Sequence, residues 1–206
     1  MSERYFSETP IHGEHATLSG PEAHHLAHVM RAAPGDTVTL FDGSGAEFTA
    51  QVERLSRRDA ELAIVDRRET DREARRRLTL AVGLPKGPRQ RWLIEKCVEL
   101  GVARLVPLVT RRGVALASGG AVARLERAVI EAPKQCGRNR LMAIDGPSDL
   151  PTLSAGLDAD TVRLIAHPPD EASARADEAN TQTAAGDTVA DARAHDRLIV
   201  AVGPEG

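Results

Sequence analysis

The chain has 206 residues, 41% apolar and 28% charged, which is enough for one large domain or two small ones with separate cores. It has no run of about 18 to 20 apolar residues that could span a membrane, and its start lacks the basic-then-apolar plan of a signal peptide. We therefore expect a cytoplasmic protein without a membrane partner. Its two widely separated cysteines, Cys97 and Cys136, are expected to be reduced thiols rather than a zinc or disulfide framework.

Charge is unevenly distributed along the chain. The formal net charge is −3, and residues 170–196 hold seven acidic and two basic side chains, a local −5 that leaves +2 for the rest. Basic clusters suit an RNA partner, because Lys and Arg contacts with phosphate dominate RNA affinity. For residues 67–77 alone, a solvated charged linker with interleaved carboxylates is the competing interpretation. The clustered residues are Arg67, Arg68, Arg72, Arg75, Arg76 and Arg77, then Lys86, Arg89 and Arg91, then Lys134, Arg138 and Arg140.

Short strands and turns around one helix predict a small β-rich domain over residues 1–70. Pro21 opens a helix expected to run to about Ala32, with Leu26, Val29 and Met30 as its apolar stripe. A proline and a glycine at positions 34 and 35 then stop it. Three strands come next, at residues 37–41, 46–52 and 60–65, the first two joined by a turn-forming Asp-Gly-Ser-Gly sequence.

The charged residues 66–77 have no apolar period, and we place a boundary there, with a second domain at residues 71–206. Residues 78–84 are a near-continuous apolar run, typical of a strand buried on both faces of a parallel sheet. A helix starting near Pro88 and a strand at residues 105–109 complete a predicted βαβ unit. The second domain is therefore expected to be α/β.

The predicted helix after Pro88 has an apolar face formed by Ile94, Cys97 and Val98, and Gly101 is placed to cap its C-terminus. The remaining predicted elements are a helix at residues 121–130 and strands at residues 141–144, 162–166 and 198–202. Pro133 is expected to kink or end the second helix, since its ring clashes with the helical carbonyl four residues earlier. Residues 168–196 are almost without large apolar side chains and are expected to form a mobile insertion.

The last residues, 198–206, form a predicted buried strand followed by a glycine-rich turn. In open α/β sheets, ligands bind beyond the carboxyl ends of strands, where glycine lets backbone amides approach them. Alone, this motif is weak, and an ordinary loop after a strand is the more common explanation. It matches neither the dinucleotide-binding fingerprint nor a P-loop.

Two further loops carry polar groups with potential binding roles. Residues 135–140 gather an amide, two guanidiniums and a glycine that can hold phosphates or base edges, although a helix cap with a solvated basic loop is the alternative. His167 comes directly after a predicted strand, where it either contacts a ligand or caps the strand. Three histidines at positions 24, 25 and 28 lack a carboxylate or cysteine to complete a metal site, so no metal is expected.

Taken together and in order, motifs along the whole chain resemble the ribosomal RNA small-subunit methyltransferase E family, the 16S rRNA uracil-N3 methyltransferases of the SPOUT superfamily. The matching segments are Arg4-Tyr5-Phe6; His25-Leu26 with Val29-Met30-Arg31; Phe41-Asp42-Gly43; Leu84-Pro85-Lys86-Gly87; Trp92-Leu93-Ile94-Glu95-Lys96; Glu99-Leu100-Gly101-Val102; Pro107-Leu108; Gln135-Cys136-Gly137-Arg138; His167-Pro168; and Gly203-Pro204-Glu205-Gly206.

The resemblance implies an N-terminal PUA-like β-barrel followed by a SPOUT-type α/β knot domain, working as a homodimer. It also implies S-adenosylmethionine as the methyl donor and N3 of a uridine in 16S rRNA as the target. Two of the three donor-binding loops of the family have counterparts here. The third falls beyond residue 206, so we expect a knot that is incomplete at its C-terminus. The implied donor-binding residues are His167, Pro168, Gly203, Pro204, Glu205 and Gly206.

Methyl transfer to uracil requires alignment of the acceptor nitrogen with the methyl group and loss of its proton. We expect Arg138 to stabilise charge on a uracil carbonyl and Glu205 to accept the proton, directly or through water. The expected RNA-binding residues are Arg4, Arg31, Lys86, Arg89, Gln135, Arg138 and Asn139. The competing hypotheses are a non-catalytic RNA-binding protein and a metabolic α/β enzyme with a small-molecule substrate.

Overall fold

Two five-stranded sheets organise the structure, a computed structural model that describes residues 3–110, 119–166 and 195–203. The chain separates into two compact units. The first combines Met1–Glu73 with Val129–Leu141, and the second combines Ala74–Ala128 with Met142–Gly206. The segment 129–141, which lies in sequence within the second predicted domain, thus packs in the first unit. No helix in the described part of the chain has the length and apolar character needed to cross a membrane.

The sheet of the first unit is mixed and curled into a half-barrel. Its strands are β1 (Arg4–Phe6), β2 (His15–Ser19), β3 (Thr37–Phe41), β4 (Ala46–Leu55) and β5 (Asp59–Glu69). They are arranged in the order β1-β3-β4-β5-β2, with β1 parallel to β3 and the other pairs antiparallel. Two register shifts between β4 and β5 bend this ladder, as bulges do, and help to curl the sheet.

One face of this sheet forms the core of the first unit. Alternate residues point inward because side chains along a strand change face at every residue. Leu18, Leu40, Phe48, Val52 and Leu62 are buried there. The predicted strand at Thr37–Phe41 is confirmed, and the other two extend further than predicted, to Leu55 and Glu69.

The predicted long helix near the N-terminus is wrong in its extent. Helix α1 (Gly20–His24) is followed at once by a π-helical turn at His25–Val29, which closes with the Met30 N–H bonded to the His25 carbonyl. The extra residue in this turn rotates the next side chains off the apolar face. Leu26 is buried as expected, but Val29 and Met30 are exposed, so the predicted stripe does not form.

The second sheet is wholly parallel. Its strands are β6 (Arg77–Val82), β7 (Arg104–Pro107), β8 (Ala143–Ile144), β9 (Val162–Ala166) and β10 (Arg197–Val202), in the order β8-β7-β6-β10-β9. Helix α2 (Arg89–Glu99) connects β6 to β7, which confirms the predicted βαβ unit. Ile94, Cys97 and Val98 of α2 are buried, and Gly101 lies just beyond the helix with a φ of 78°.

Two predictions for the second predicted domain need correction. Strand β6 is buried only at Ala81 and Val82, whereas its first four residues are exposed or half-buried. Helix α3 (Gly119–Cys136) continues through Pro133 instead of ending at residue 130. Burial of Val129 and Ala132 favours the helix on the turn before the proline, and the Gly137 N–H still bonds to the Pro133 carbonyl at 2.9 Å. Helix α4 (Leu150–Ala155) precedes β9.

Candidate functional site

The carboxyl end of the parallel sheet is the edge where α/β folds of this kind bind ligands. From β6 the chain continues to β7 and β8 on one side, whereas β10 and β9 lie on the other side. Strands β6 and β10 therefore flank the point where the strand order reverses, which is where open α/β sheets bind ligands. A glycine follows each strand directly, Gly83 after β6 and Gly203 after β10, and the Gly83 N–H bonds to the Val202 carbonyl at 3.2 Å.

Gly203 is exposed, and a Cβ placed on it would lie within 4 Å of no atom of the described residues 3–110, 119–166 and 195–203. Among the described residues, no side chain packs against the backbone at the tip of β10. The other predicted donor-binding residues, namely His167, Pro168, Pro204, Glu205 and Gly206, lie outside the described residues. So does most of the predicted insertion at residues 168–196. Within the described ranges, no group of three His, Cys, Asp or Glu side chains is placed to hold a metal.

The loop after α3 is fastened inside the first unit by charged contacts. Arg138 donates from Nε and Nη2 to the two carboxylate oxygens of Glu73, at 2.8 and 2.6 Å. Such paired hydrogen bonds between guanidinium and carboxylate fix orientation as well as distance. The Arg138 side chain is only 4% exposed. Lys134, one turn earlier, pairs with Glu22 and with Glu131.

Arg4 connects β1 to the same loop. Its Nη1 bonds to Oε2 of Glu47 at 2.5 Å, and its Nη2 bonds to Oδ1 of Asn139 at 2.6 Å. The guanidinium also lies over the ring of Phe41, 5.2 Å from its centroid. Arg72 donates from Nη1 to Glu47 and to the carbonyl of Gly137, both at 2.7 Å.

Electrostatics at Glu47 reflect this arrangement. Burial acts to raise the pKa of the Glu47 carboxyl, but hydrogen bonds and charge from Arg72 and Arg4 outweigh it and hold the pKa below its ordinary value. Two buried nitrogens of this network, Nε of Arg4 and Nδ2 of Asn139, have no hydrogen-bond partner among the described residues. Unsatisfied buried donors are uncommon and costly, and often mark a functional position.

The predicted RNA-binding residues thus divide into two groups. Arg4, Arg138 and Asn139 are held in contacts within the first unit, and their partners Glu47 and Glu73 were not predicted to have a role. The exposed members are Arg31, Lys86, Arg89 and Gln135. Arg31 has a φ of 55°, in the left-handed region where an arginine is uncommon. Glu73 lies in a run with the composition of a charged linker. For that reason, its ion pair with Arg138 was not predicted from the sequence.

Comparison with known proteins identifies the family to which the chain belongs. A profile described as an RNA methyltransferase domain matches residues 72–206, more than half of the chain. The chain belongs to this RNA methyltransferase family. A second profile, described as an RNA methyltransferase PUA domain, matches residues 18–65.

Relatives in this family carry the name that the sequence motifs indicated. The chain is 33% identical over 131 residues to ribosomal RNA small subunit methyltransferase E of Synechocystis, covering 64% of this chain and 43% of the relative. It is 31% identical over 116 residues to the Bacillus subtilis enzyme of that name, covering 54% and 45%. The match thus spans less than half of the length of each of these relatives.

A solved structure in the family resembles the whole chain. Ribosomal RNA small subunit methyltransferase E from Neisseria gonorrhoeae, bound to S-adenosyl methionine, has a TM-score of 0.83 and 26% identity, covering 100% of this chain and 81% of that chain. The predicted family resemblance and fold class, a PUA-like β-structure followed by an α/β methyltransferase domain, are therefore confirmed.

Proposed function

We propose that this protein methylates ribosomal RNA with S-adenosylmethionine as donor, and that the target is N3 of a uridine in 16S rRNA. The observation that carries the proposal is the exposed glycine at the tip of β10, beside the reversal of strand order, in a chain of the RNA methyltransferase family. Its likeness to a solved methyltransferase bound to this donor supports the same assignment. The proposed enzyme acts in the cytoplasm as a homodimer.

The donor is proposed to lie against the carboxyl ends of β9 and β10, held by His167, Pro168 and residues 203–206. When bound, S-adenosylmethionine supplies a methyl group activated by the adjacent sulfonium. The protein then has to align the uracil nitrogen and remove its proton. Glu205 is proposed to accept that proton, directly or through water. The backbone at Gly203 contributes space, because any side chain there would occupy the approach to the strand tip.

Arg138 is proposed to stabilise negative charge on a uracil carbonyl oxygen. Since only 4% of its side chain is exposed, this role requires the loop after α3 to open locally when RNA binds. Glu73 then acts as the residue that holds the guanidinium in place until that happens. Comparison of methyl transfer in Arg138→Ala and Glu73→Ala variants separates this role of Arg138 from a purely structural one.

RNA binding is proposed to involve Arg31, Lys86, Arg89 and Gln135, whose exposed side chains can reach a nucleic acid directly. Arg4 and Asn139 are proposed to contribute indirectly, because their hydrogen bond holds the loop after α3 in its conformation. Contacts of this kind with phosphates release counterions, so affinity for a 16S rRNA fragment is expected to fall steeply with added salt.

Calorimetric titration of the 206-residue chain with S-adenosylmethionine tests the donor site. The matched variants are Gly203→Val and Gly146→Val, because both glycines are exposed and a Cβ at either would lie within 4 Å of no described atom. We expect the first to weaken donor binding and the second to leave it unchanged. Equal affinity in both variants contradicts the site. RNA binding without any donor binding by the unmodified chain supports the non-catalytic alternative instead.

A further inference from the structure

A small pocket in the first unit joins the loop after α3 to the end of β5. Its volume is about 120 Å³, and none of the described residues that line it is aromatic. The lining residues are Gly45, Glu69, Thr70, Asp71, Glu73, Asn139 and Arg140. All of them belong to the first unit, and the donor-site residues named above are in the second.

The charges in this pocket are only partly neutralised by the protein itself. Glu73 is satisfied by Arg138, and Glu69 pairs with Arg67 at 2.6 Å. Asp71 accepts the backbone N–H of Glu73 at 3.0 Å but forms no ion pair with the described residues. Arg140 forms neither an ion pair nor a side-chain hydrogen bond within the described ranges. Asp71 and Arg140 therefore line a common pocket without forming an ion pair with each other.

The fold fixes the backbone of Arg140 beside the turn between β3 and β4. Its backbone forms bridges to Gly43 and Ser44 in the turn between β3 and β4. A Cβ on Gly45 would lie 2.9 Å from Cζ and Nη2 of Arg140, and the φ of Gly45 is 106°. Only glycine at position 45 lets the guanidinium lie across the turn. Asn139 also lines the pocket, is only 2% exposed, and has an Nδ2 without a hydrogen-bond partner in the described part of the chain.

We propose that this pocket binds one unpaired nucleobase of RNA, with Arg140 donating to acceptors on the base and Asp71 accepting from its N–H groups. A base carries donors and acceptors on its edges, and Arg and Asp are side chains that hydrogen-bond these groups. Three carboxylates in the lining disfavour a phosphate, and the guanidinium disfavours a cation. The inference rests on the proposed RNA substrate and adds a site of base selection separate from the donor site.

NMR titration of the ¹⁵N-labelled 206-residue chain tests the pocket, with the four nucleoside 5′-monophosphates as ligands. Ribose 5-phosphate, which has the sugar and phosphate but no base, is the matched control ligand. We expect the Asn139 side-chain amide and the Arg140 Nε–H signals to shift with at least one nucleotide and not with ribose 5-phosphate. Equal shifts with ribose 5-phosphate, or no shift with any nucleotide, overturn the proposal.

Two arginine variants separate recognition of the base from loss of charge. Arg140→Ala is expected to weaken nucleotide binding about tenfold, the effect of losing one good base contact. Arg58→Ala removes the same charge from an exposed turn away from the pocket and is expected to leave binding unchanged. Equal losses in both variants overturn the proposal, and Arg140→Lys, which keeps the charge but not the planar fork, is expected to lose most of the affinity.

Nucleotide binding at the pocket is tested independently of S-adenosylmethionine binding at the donor site. Calorimetry with S-adenosylmethionine on the Arg140→Ala variant is expected to give the affinity of the unmodified chain. If the unmodified chain binds no donor and the nucleotide shifts persist, only the proposed function fails. If donor binding is normal and the shifts are absent, only the nucleobase pocket fails.

Discussion

The guanidinium of Arg138 and the carboxylate of Glu73 form a two-bond ion pair, 2.6 Å at its shorter contact, in which the arginine is 4% exposed and the glutamate 21%. The two residues are 65 positions apart in sequence. Their pair holds the loop after α3 against the segment after β5 within the first unit. Because an arginine this buried depends on its partner, the pair governs both stability and the proposed role of Arg138.

Removal of one member of the pair is expected to destabilise the protein. Glu73→Ala leaves the Arg138 charge buried without its carboxylate and should lower the free energy of unfolding by about 3 kcal/mol. The double variant Glu73→Leu with Arg138→Met removes both charges and should cost less than Glu73→Ala alone. Urea denaturation measures both. A double variant less stable than the single one would contradict this account.

Arg138 is also expected to contribute directly to methyl transfer. Arg138→Ala should lower the transfer rate to a 16S rRNA fragment far more than Glu73→Ala does, while calorimetry shows unchanged donor affinity in both variants. Glu73→Ala is the control, since it disturbs the same ion pair and keeps the guanidinium. Equal losses of transfer in the two variants would assign Arg138 a structural role only.

Two glycines in the second unit test a tight contact after α2. Gly101 has a φ of 78°, and a Cβ there would lie 3.2 Å from the Cβ of Ala74. Gly87 has a φ of 65° but open space around it. Gly101→Ala combines backbone strain with crowding, whereas Gly87→Ala has only the strain, about 1 to 2 kcal/mol. Thermal denaturation should therefore show the larger loss for Gly101→Ala, and equal losses would mean that Ala74 moves aside without cost.

Local patterns predicted the parallel sheet well. The apolar runs, the face formed by Ile94, Cys97 and Val98, and the glycine after α2 are short-range signals, and the structure has all of these features. The π-helical turn was not predicted, because the change from four-residue to five-residue hydrogen bonding moves Val29 and Met30 to the surface without changing the apolar spacing. Pro133 led to the prediction of a helix that ends too early. Burial of the residues around it stabilises the helix by more than the proline destabilises it.

The site was harder to predict because its contacts are long-range. Arg4 bonds to Asn139 across 135 positions, and Arg138 bonds to Glu73 across 65. Sequence identifies such residues as charged or polar but does not show which carboxylate neutralises which guanidinium. Only the folded arrangement of the loop after α3 shows which contacts are made by Glu73, Glu47 and Arg140.

The two cysteines are expected to differ sharply in reactivity. Burial raises the pKa of the Cys97 thiol to about 11, so little thiolate exists at pH 8, whereas Cys136 is exposed. A thiol reagent such as iodoacetamide should modify Cys136 and leave Cys97 intact in the folded protein. Mass spectrometry of the labelled peptides measures this, with urea-unfolded protein as the control in which both react. Labelling of Cys97 in the folded state at the rate of Cys136 would show that α2 opens readily.

Glu47 should make the first unit sensitive to acid. Its folded-state pKa lies below the ordinary 4.5, because Arg72 and Arg4 outweigh the effect of burial. The unfolded chain therefore takes up this proton first as the pH falls, so the stabilisation is complete above pH 4.5 and is lost as the pH falls through the lower, folded pKa. Glu47→Gln should reduce the acid-side slope of unfolding free energy against pH.

The slope should not vanish in that variant, because Asp42 contributes in the same direction. Burial alone would raise the pKa of Asp42, but hydrogen bonds from Ser44 and from the Ile11 N–H hold it below its usual value. The matched control is Glu61→Gln, which removes a carboxylate from an exposed pair with Arg54 and should change stability little. Urea denaturation at a series of pH values from neutral to acid distinguishes the variants. An unchanged acid slope in Glu47→Gln would mean that Arg4 and Arg72 do not hold this carboxylate in solution as they do in the structure.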